Sequence, residues 1–488
     1  MSQTAFSSLE LSADLLSNLD SLGFEAMTPI QAQSLPPILA GQDVIAQGKT
    51  GSGKTAAFGL GLLSKLDSSN LKAQSLVLCP TRELADQVAK EIRRLARTTR
   101  NVKISILCGG TPFRAQADSL AHGAHIVVGT PGRVEDHLRK GTLNFDGLTT
   151  LVLDEADRML DMGFQDTIDI IIEQLPKVRQ TLLFSATYPD EIQSVAKRVM
   201  IKPVMAKVES THDGETISQR FFEVDNDGDR LTALRLLLLK FRPESAVVFC
   251  NTKREAQDIA GDLRDHGFSA LALHGDLEQR DRDETLVRFA NHSTAVLVAT
   301  DVAARGLDIA SLEAVINYHI ARDPEIHLHR IGRTGRAGSK GVAYSLISDK
   351  ESYKVALLQD FLQQIIVAEP LPPSSLLKEP ARPPTMATIL IDGGKKQKIR
   401  PGDILGALTG ENGIDGAAVG KINIFENRSY VAVKIDTARE ALKKLTEGKL
   451  KGRSFRSREI RGHPDKKKEF RKKGVGSTAV PLSRNKKA

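Results

Sequence analysis

The sequence predicts an α/β protein: two tandem, doubly wound parallel-sheet domains, then a small α+β domain with the element order βαββαβ, then a basic tail. Three observations carry this reading. A design recurs, because Leu76-Val77-Leu78-Cys79 runs into Pro80-Thr81-Arg82-Glu83 just as Val247-Val248-Phe249-Cys250 runs into Asn251-Thr252-Lys253-Arg254. The match continues downstream, where Ile126 to Thr130 corresponds to Val296 to Thr300, at Cys-to-Thr separations of 51 and 50 residues. Continuous Val, Ile and Leu runs alternating with helical stretches imply parallel sheets covered on both faces. Finally, residues 449–488 hold 15 Lys and Arg against 3 Asp and Glu, so this +12 segment is attached to a body of net charge −4.

With 488 residues, 41% apolar and 26% charged, the chain is long enough for several cores and excludes disorder or a collagen-like repeat. Apolar clusters such as residues 234–239 fall well short of the ~20 residues that span a bilayer. The polar, acidic first fifteen residues lack the pattern of a secretory leader, so a cytoplasmic location and no membrane partner are expected. Cys79, Cys108 and Cys250 are odd in number and far apart, which predicts reduced thiols and excludes a disulfide framework. A monomer is expected.

The elements divide into residues 1–207 and 208–369 for the two α/β domains, each with its polar residues on loops at the carboxyl ends of strands, where such sheets bind ligands. Six prolines between 370 and 384 predict a linker. Residues 385–461 then read as strand (Thr388–Ile391), helix (Pro401–Leu408), paired strands (Lys421–Phe425, Tyr430–Ile435), helix (Ala438–Leu445) and strand (Ser454–Ile460). This is the order of an RNA-recognition fold. Residues 462–488 form the Lys-rich tail. A basic segment on a slightly acidic body fits a polyanion such as nucleic acid, though solubilising tails share this composition.

Gly48-Lys49-Thr50-Gly51-Ser52-Gly53-Lys54-Thr55 follows an apolar strand and opens a helix, the context that a phosphate-binding loop requires. Backbone N–H groups at Gly48, Thr50, Gly51, Ser52 and Gly53 can close around phosphates, Lys54 can reach the β and γ phosphates, and Thr55 can ligate Mg²⁺. Asp154 and Glu155 emerge from Leu151-Val152-Leu153. The first suits Mg²⁺ and the second the attacking water, whereas alone the pair would read as helix-capping chemistry. Arg333 and Arg336, three apart in a predicted helix of the second domain, can supply arginine fingers to the transferring phosphoryl group. A solvated basic helix face is the alternative. The cofactors expected are ATP and Mg²⁺.

These blocks, in this order, resemble the DEAD-box ATP-dependent RNA helicases over about residues 6–350, which implies RecA-like folds for both α/β domains. The resemblance implies that Phe24 and Gln31, in a motif with Phe6 and Thr28-Pro29-Ile30-Gln31, hold adenine. It assigns Asp308 to the ribose, and Ser185-Ala186-Thr187 to coupling between the acidic cluster and domain closure. RNA contacts are implied at Thr81, Arg82, Gly110, Thr130 and Arg133 in the first domain. In the second they fall at Asn251-Thr252, Gln279, Arg280 and Thr300. Such hydroxyls, glycine amides and guanidinium groups suit a phosphate backbone and carry no base readout; turn and cap chemistry also uses them. Tyr318-His319 departs from the family, whose members often have an acidic residue after the aromatic.

Residues 386–422, including Asp392-Gly393-Gly394-Lys395-Lys396 and Arg400-Pro401-Gly402-Asp403-Ile404-Leu405, resemble one bacterial branch of the family. That resemblance implies docking on a 23S rRNA hairpin of the peptidyl-transferase region, with pre-50S particles as partners and large-subunit assembly as the process. Tyr430 is a candidate RNA contact but the one aromatic on its strand where several are usual, so recognition is expected to lean on Lys395, Lys396, Lys398, Arg400, Lys449, Lys451 and Arg453. An ATP-switched RNA clamp shares every motif, so sequence does not separate it from a helicase, whereas a DNA helicase or translocase on the same tandem scaffold lacks support.

Overall fold

The computed structural model describes residues 4–48, 51–208, 217–304, 312–335, 341–411 and 413–461. The chain divides into two compact units, the second combining the second α/β domain with the C-terminal domain. Among the sites read from sequence, Thr50, Asp308, Arg336 and the 462–488 tail lie outside the described residues.

The first unit contains strands β1 (Val44–Gln47), β2 (Ser75–Leu78), β3 (Ile104–Leu107), β4 (Ile126–Gly129), β5 (Thr150–Asp154), β6 (Gln180–Ser185) and β7 (Val204–Lys207). They form one parallel sheet in the order β3-β4-β2-β5-β6-β1-β7. Successive residues of a strand point to opposite faces, and here both faces are covered. Val77, Val128 and Val152 enter one buried cluster while Leu76, Val127 and Leu151 enter the other. This explains why the strands read as continuous apolar runs.

The second unit repeats the plan with β8 (Ile217–Glu223), β9 (Ala246–Cys250), β10 (Ala270–Leu273), β11 (Val296–Thr300), β12 (Ala314–Asn317), β13 (Gly341–Ile347) and β14 (Ala368–Glu369). Their order, β10-β11-β9-β12-β13-β8-β14, is the first sheet's order displaced by seven strands. The repeat extends to backbone angles. Thr81 and Thr252 both cap a helix, with φ/ψ of −129°/158° and −129°/155°. All three cysteines are buried free thiols.

The C-terminal domain adds β15 (Met386–Ile391), β16 (Val419–Ile424), β17 (Ser429–Lys434) and β18 (Ser457–Glu459), antiparallel in the order β16-β17-β15-β18. The helices Pro401–Thr409 and Ala438–Glu447 complete the expected βαββαβ order. Ile389, Ile391, Val431 and Val433 point to this domain's own core. The opposite face is also covered, because Leu390 and Tyr430 pack on Val287 of the helix Gln279–Ala290.

The proline-rich stretch read as a linker is packed against its neighbour. Leu371, Leu376, Leu377 and Ala381 pack against the core of the second α/β sheet, and the Arg242 guanidinium donates to the Pro380 carbonyl at 3.0 Å. The prolines leave no α-helix or central strand in it, only the short 3-10 helix Ser374–Lys378, and apolar residues interleaved with them bind the segment to the domain it follows. No helix among the described residues is long and apolar enough to cross a membrane.

Candidate nucleotide site and nucleic-acid interface

The loop between β1 and the helix Lys54–Ser64 turns through Gly51 and Gly53, at φ +85° and +95°. Gly53 has a second constraint. A Cβ there would stand 2.5 Å from Gln31 Nε2 and 3.0 Å from Thr28 Oγ1. These two side chains buttress the loop, with Thr28 Oγ1 donating to the Ser52 carbonyl at 2.7 Å and Gln31 Nε2 to the Gly53 carbonyl at 3.1 Å. Gln31 also caps its own helix, since its Oε1 accepts from the Thr28 amide at 2.9 Å. The adenine-motif residue is therefore tied to the phosphate loop. Phe24 lies near it in sequence and meets Phe6 edge-on at 6.1 Å between centroids. Lys54 is buried, donates to the Gly48 carbonyl at 2.5 Å, and is held below the usual lysine range by that burial.

Asp154 ends β5, and Glu155 follows in the left-handed region at φ 51°, which turns the chain sharply into the helix Ala156–Asp161. Both carboxylates are buried. Burial, reinforced by the charge of Glu155, pushes Asp154 up to about 7. A divalent cation would offset that cost, and the Asp154 carboxyl with the Thr55 hydroxyl gives the oxygen donors that Mg²⁺ prefers, so the residues present fit the metal. Glu155 Oε2 is gripped by Arg158 Nη1 at 2.7 Å, a pair itself buried.

The sequence reading gave Asp157 and Arg158 no role. Asp157 Oδ2 accepts from the amides of Ala186 and Thr187 and from the Thr187 hydroxyl. Burial opposes ionisation of Asp157, yet the Thr187 bond and the Arg158 and Lys54 charges hold it below the usual carboxylate range. The strand leading into this motif also serves the phosphate loop, since the Gly48 amide bonds the Ser185 carbonyl at 3.0 Å. An acidic residue three beyond the strand end, opposite a Ser-Ala-Thr turn, was the available signal.

Nucleotide and RNA candidates separate along the first sheet. The former follow β1, β5 and β6; the latter follow β2, β3 and β4. Thr81 Oγ1 accepts from the Leu84 amide at 3.3 Å, and Arg82 lies so close over Gly109 that a Cβ there would meet its Nη2 at 2.6 Å. Gly110 has φ +81°, Thr130 caps the helix Pro131–Arg139, and Arg133 Nη1 donates to the Thr111 carbonyl at 2.9 Å. In the second sheet Asn251 and Thr300 stand at the matching ends of β9 and β11, whereas Arg280 lies in the first turn of the helix Gln279–Ala290 that follows β10. Gln279 Nε2 bonds Asp283 Oδ1 at 2.8 Å, and Arg428 of the C-terminal domain bonds the other Asp283 oxygen at 3.0 Å.

Two expectations need correction. Arg333 does not lie on a helix, because the helix Pro324–Ile331 ends at Gly332 and Arg333 falls in the following turn, buried. The turn is held by the Thr334 hydroxyl, which donates to the Leu312 carbonyl. Tyr430 is not open to a base. It is 0% exposed, between Leu390, Val287 and an edge-on Phe425, because the strand face that stacks bases in an ordinary RNA-recognition sheet is spent on the helix Gln279–Ala290. The contact is extended by Thr388, bonded to Ser293 at 2.7 Å and Asn291 at 3.3 Å. Lys395, Lys396, Lys398 and Arg400 are exposed in one loop, and Lys451 is brought to it by a 2.7 Å bond from its Nζ to the Lys398 carbonyl.

Comparison with known proteins agrees with these units. Residues 28–195 match the DEAD/DEAH box helicase family, 229–338 the helicase conserved C-terminal domain, and 388–459 the DbpA RNA binding domain. The chain is 55% identical to the ATP-dependent RNA helicase DbpA of Escherichia coli K12, over 93% of this chain and 99% of that protein. DbpA is the branch whose C-terminal motifs the sequence resembles. The DEAD-box ATP-dependent RNA helicase CshA of Geobacillus kaustophilus is 43% identical over 71% of this chain and 74% of its own. Among solved structures, S. cerevisiae Dbp5 bound to RNA and ADP BeF3 is 31% identical, with a TM-score of 0.68, covering 75% of this chain and 96% of that one.

Proposed function

The chain belongs to the DEAD-box ATP-dependent RNA helicases, and from that premise we propose that its C-terminal domain brings the motor to a hairpin of the 23S rRNA peptidyl-transferase region, where neighbouring duplex is opened during large-subunit assembly. The observation that supports this most is the match of residues 388–459 to the DbpA RNA binding domain, joined to an exposed basic loop at 395–400.

On this reading ATP binds at the β1 loop. Lys54 exchanges the Gly48 carbonyl for the β and γ phosphates, and the loop amides take the remaining phosphate oxygens. Thr55 and Asp154 hold Mg²⁺, which neutralises charge on the phosphates when bound. Glu155 orients the attacking water, its carboxylate kept in place by Arg158. Arg333, with Arg336, provides positive charge from the second unit as phosphoryl transfer proceeds, so turnover requires both units. Gln31 reads the adenine edge and reports occupancy to the loop through Gly53. Asp308 meets the ribose. The threonine, glycine and arginine groups at the strand ends hold an RNA backbone without reading bases, which leaves target choice to the C-terminal domain.

The test is ATP hydrolysis and strand displacement against large-subunit rRNA fragments with and without the hairpin. We expect half-maximal stimulation at a much lower concentration of hairpin RNA, and strand displacement that depends on ATP. Equal stimulation by all RNAs would remove the rRNA target, and hydrolysis without strand displacement would favour the clamp.

A further inference from the structure

Where relatives often carry an acid, this chain has His319, directly after β12 and Tyr318, and the structure shows what surrounds it. Its Nε2 lies 2.6 Å from Glu255 Oε1, and its Nδ1 lies 3.7 Å from Glu351 Oε1. A neutral imidazole has one N–H and one lone-pair nitrogen, so it would turn a lone pair toward one of these carboxylates; an imidazolium presents N–H to both.

Glu255 is the more consequential partner. Its other oxygen accepts the Asn251 amide at 2.8 Å, and its own amide bonds Thr252 Oγ1 at 3.1 Å, so this carboxylate closes the turn between β9 and the helix Lys253–Asp265. We propose that His319 is a positioning residue: as an imidazolium between Glu255 and Glu351 it fixes the turn that presents Asn251 and Thr252 to an RNA backbone, and losing its proton loosens that turn. This rests on reading Asn251 and Thr252 as RNA-facing.

The charged groups around His319 show why Glu255 depends on it. Glu351 has other cations, Arg230 on the helix Arg230–Phe241 and Lys354 at 3.2 Å on the helix Ser352–Leu362. Arg230 also pairs with Asp227 at 3.1 Å. Arg330 donates to the His319 carbonyl at 2.8 Å but gives its charge to Asp301, at 2.7 and 2.8 Å. Burial disfavours the charged ring, yet hydrogen bonds to Glu255 and Glu351 outweigh it and raise His319 above its ordinary 6.5. The effect is therefore present at low pH and is lost as pH rises through that elevated value. An acid at position 319 would put a third carboxylate beside Glu255 and Glu351.

The experiment uses the full chain and a generic single-stranded RNA oligonucleotide, measuring the RNA concentration for half-maximal ATPase stimulation, and kcat, from about pH 6 to about pH 8.5. For wild type this concentration should rise ~3–10-fold across the range while kcat changes less than ~2-fold. His319→Gln should be weak already at low pH and nearly flat, with RNA-independent hydrolysis unchanged. Glu255→Gln should move the wild-type midpoint to lower pH, and NMR of ring-labelled histidine should show His319 titrating above 6.5 in wild type. Parallel profiles for wild type and His319→Gln, or a ring titrating at or below 6.5, would overturn the proposal. If instead Asn251→Ala and Thr252→Ala both leave RNA stimulation untouched, the RNA-facing reading is what fails and the inference falls with it.

Discussion

Asp157 and Thr187 are joined twice, the carboxylate Oδ2 accepting the Thr187 amide at 3.0 Å and its hydroxyl at 3.1 Å. With the Ala186 amide at 3.2 Å, a single oxygen terminates three donors of the turn after β6. Asp157→Ala would leave these donors short of an acceptor in a buried place. We expect a loss of ~2–4 kcal/mol from the first unit, read in denaturant titrations. Strand displacement per ATP hydrolysed should fall as well. Unchanged stability would mean that the turn is held by something else.

Lys54→Ala and Glu155→Gln should both reduce kcat, by ~10²-fold or more, for different reasons. The first removes the cation that meets the phosphates, so nucleotide affinity drops with turnover. The second keeps the phosphate loop whole, so ATP should bind normally and accumulate unhydrolysed. Steady-state ATPase and equilibrium binding of a fluorescent nucleotide separate the two, and near-normal hydrolysis by either variant would remove the site.

The elevated Asp154 carboxyl makes stability pH-dependent. Its value rises from 3.8 to about 7 on folding, so the folded chain holds a proton that the unfolded chain releases. Stability of the nucleotide-free protein should therefore decline as pH climbs from about 4 to about 7, with a slope no steeper than roughly 1.4 kcal/mol for each step of one in pH. Asp154→Asn should flatten this decline and raise the melting temperature at neutral pH while abolishing hydrolysis. A variant with the same pH profile as wild type would refute the assignment.

Tyr430 and Lys396 should behave in opposite ways. The Tyr430 hydroxyl is buried and has no hydrogen-bond partner among the described residues, so Tyr430→Phe should leave RNA affinity unchanged and stabilise by up to ~1 kcal/mol. Lys396→Ala should weaken RNA binding and flatten its dependence on salt concentration by about one phosphate contact. Filter binding at several salt concentrations reads both, and strong weakening by Tyr430→Phe would restore the stacking role.

What was legible in the sequence had local causes. The phosphate loop needs glycines between a strand and a helix, and the repeated Cys-x-Thr turn keeps the same cap geometry in both units, so each could be read from a few adjacent residues. Tyr430 shows where local reading stops. Ile389-Leu390-Ile391 is apolar throughout, and in an antiparallel sheet this signals two covered faces, but the covering partner, Val287, lies a hundred residues upstream. Asp157 likewise gains its role from Thr187, thirty residues away. The spacing of Arg333 and Arg336 suits a helix, but spacing alone does not register that the helix ends at Gly332.

The face shared by Leu390, Tyr430 and Val287 also decides where this protein can be cut and spliced. A chimera that transplants residues 385–461 onto another motor would leave an apolar sheet surface wetted and an orphaned helix face on the donor, both invitations to aggregate. The transplantable module is larger. It begins at β8, runs through the proline-rich stretch and includes the helix Gln279–Ala290, so the C-terminal domain is a fitted part of its neighbour and not an interchangeable attachment.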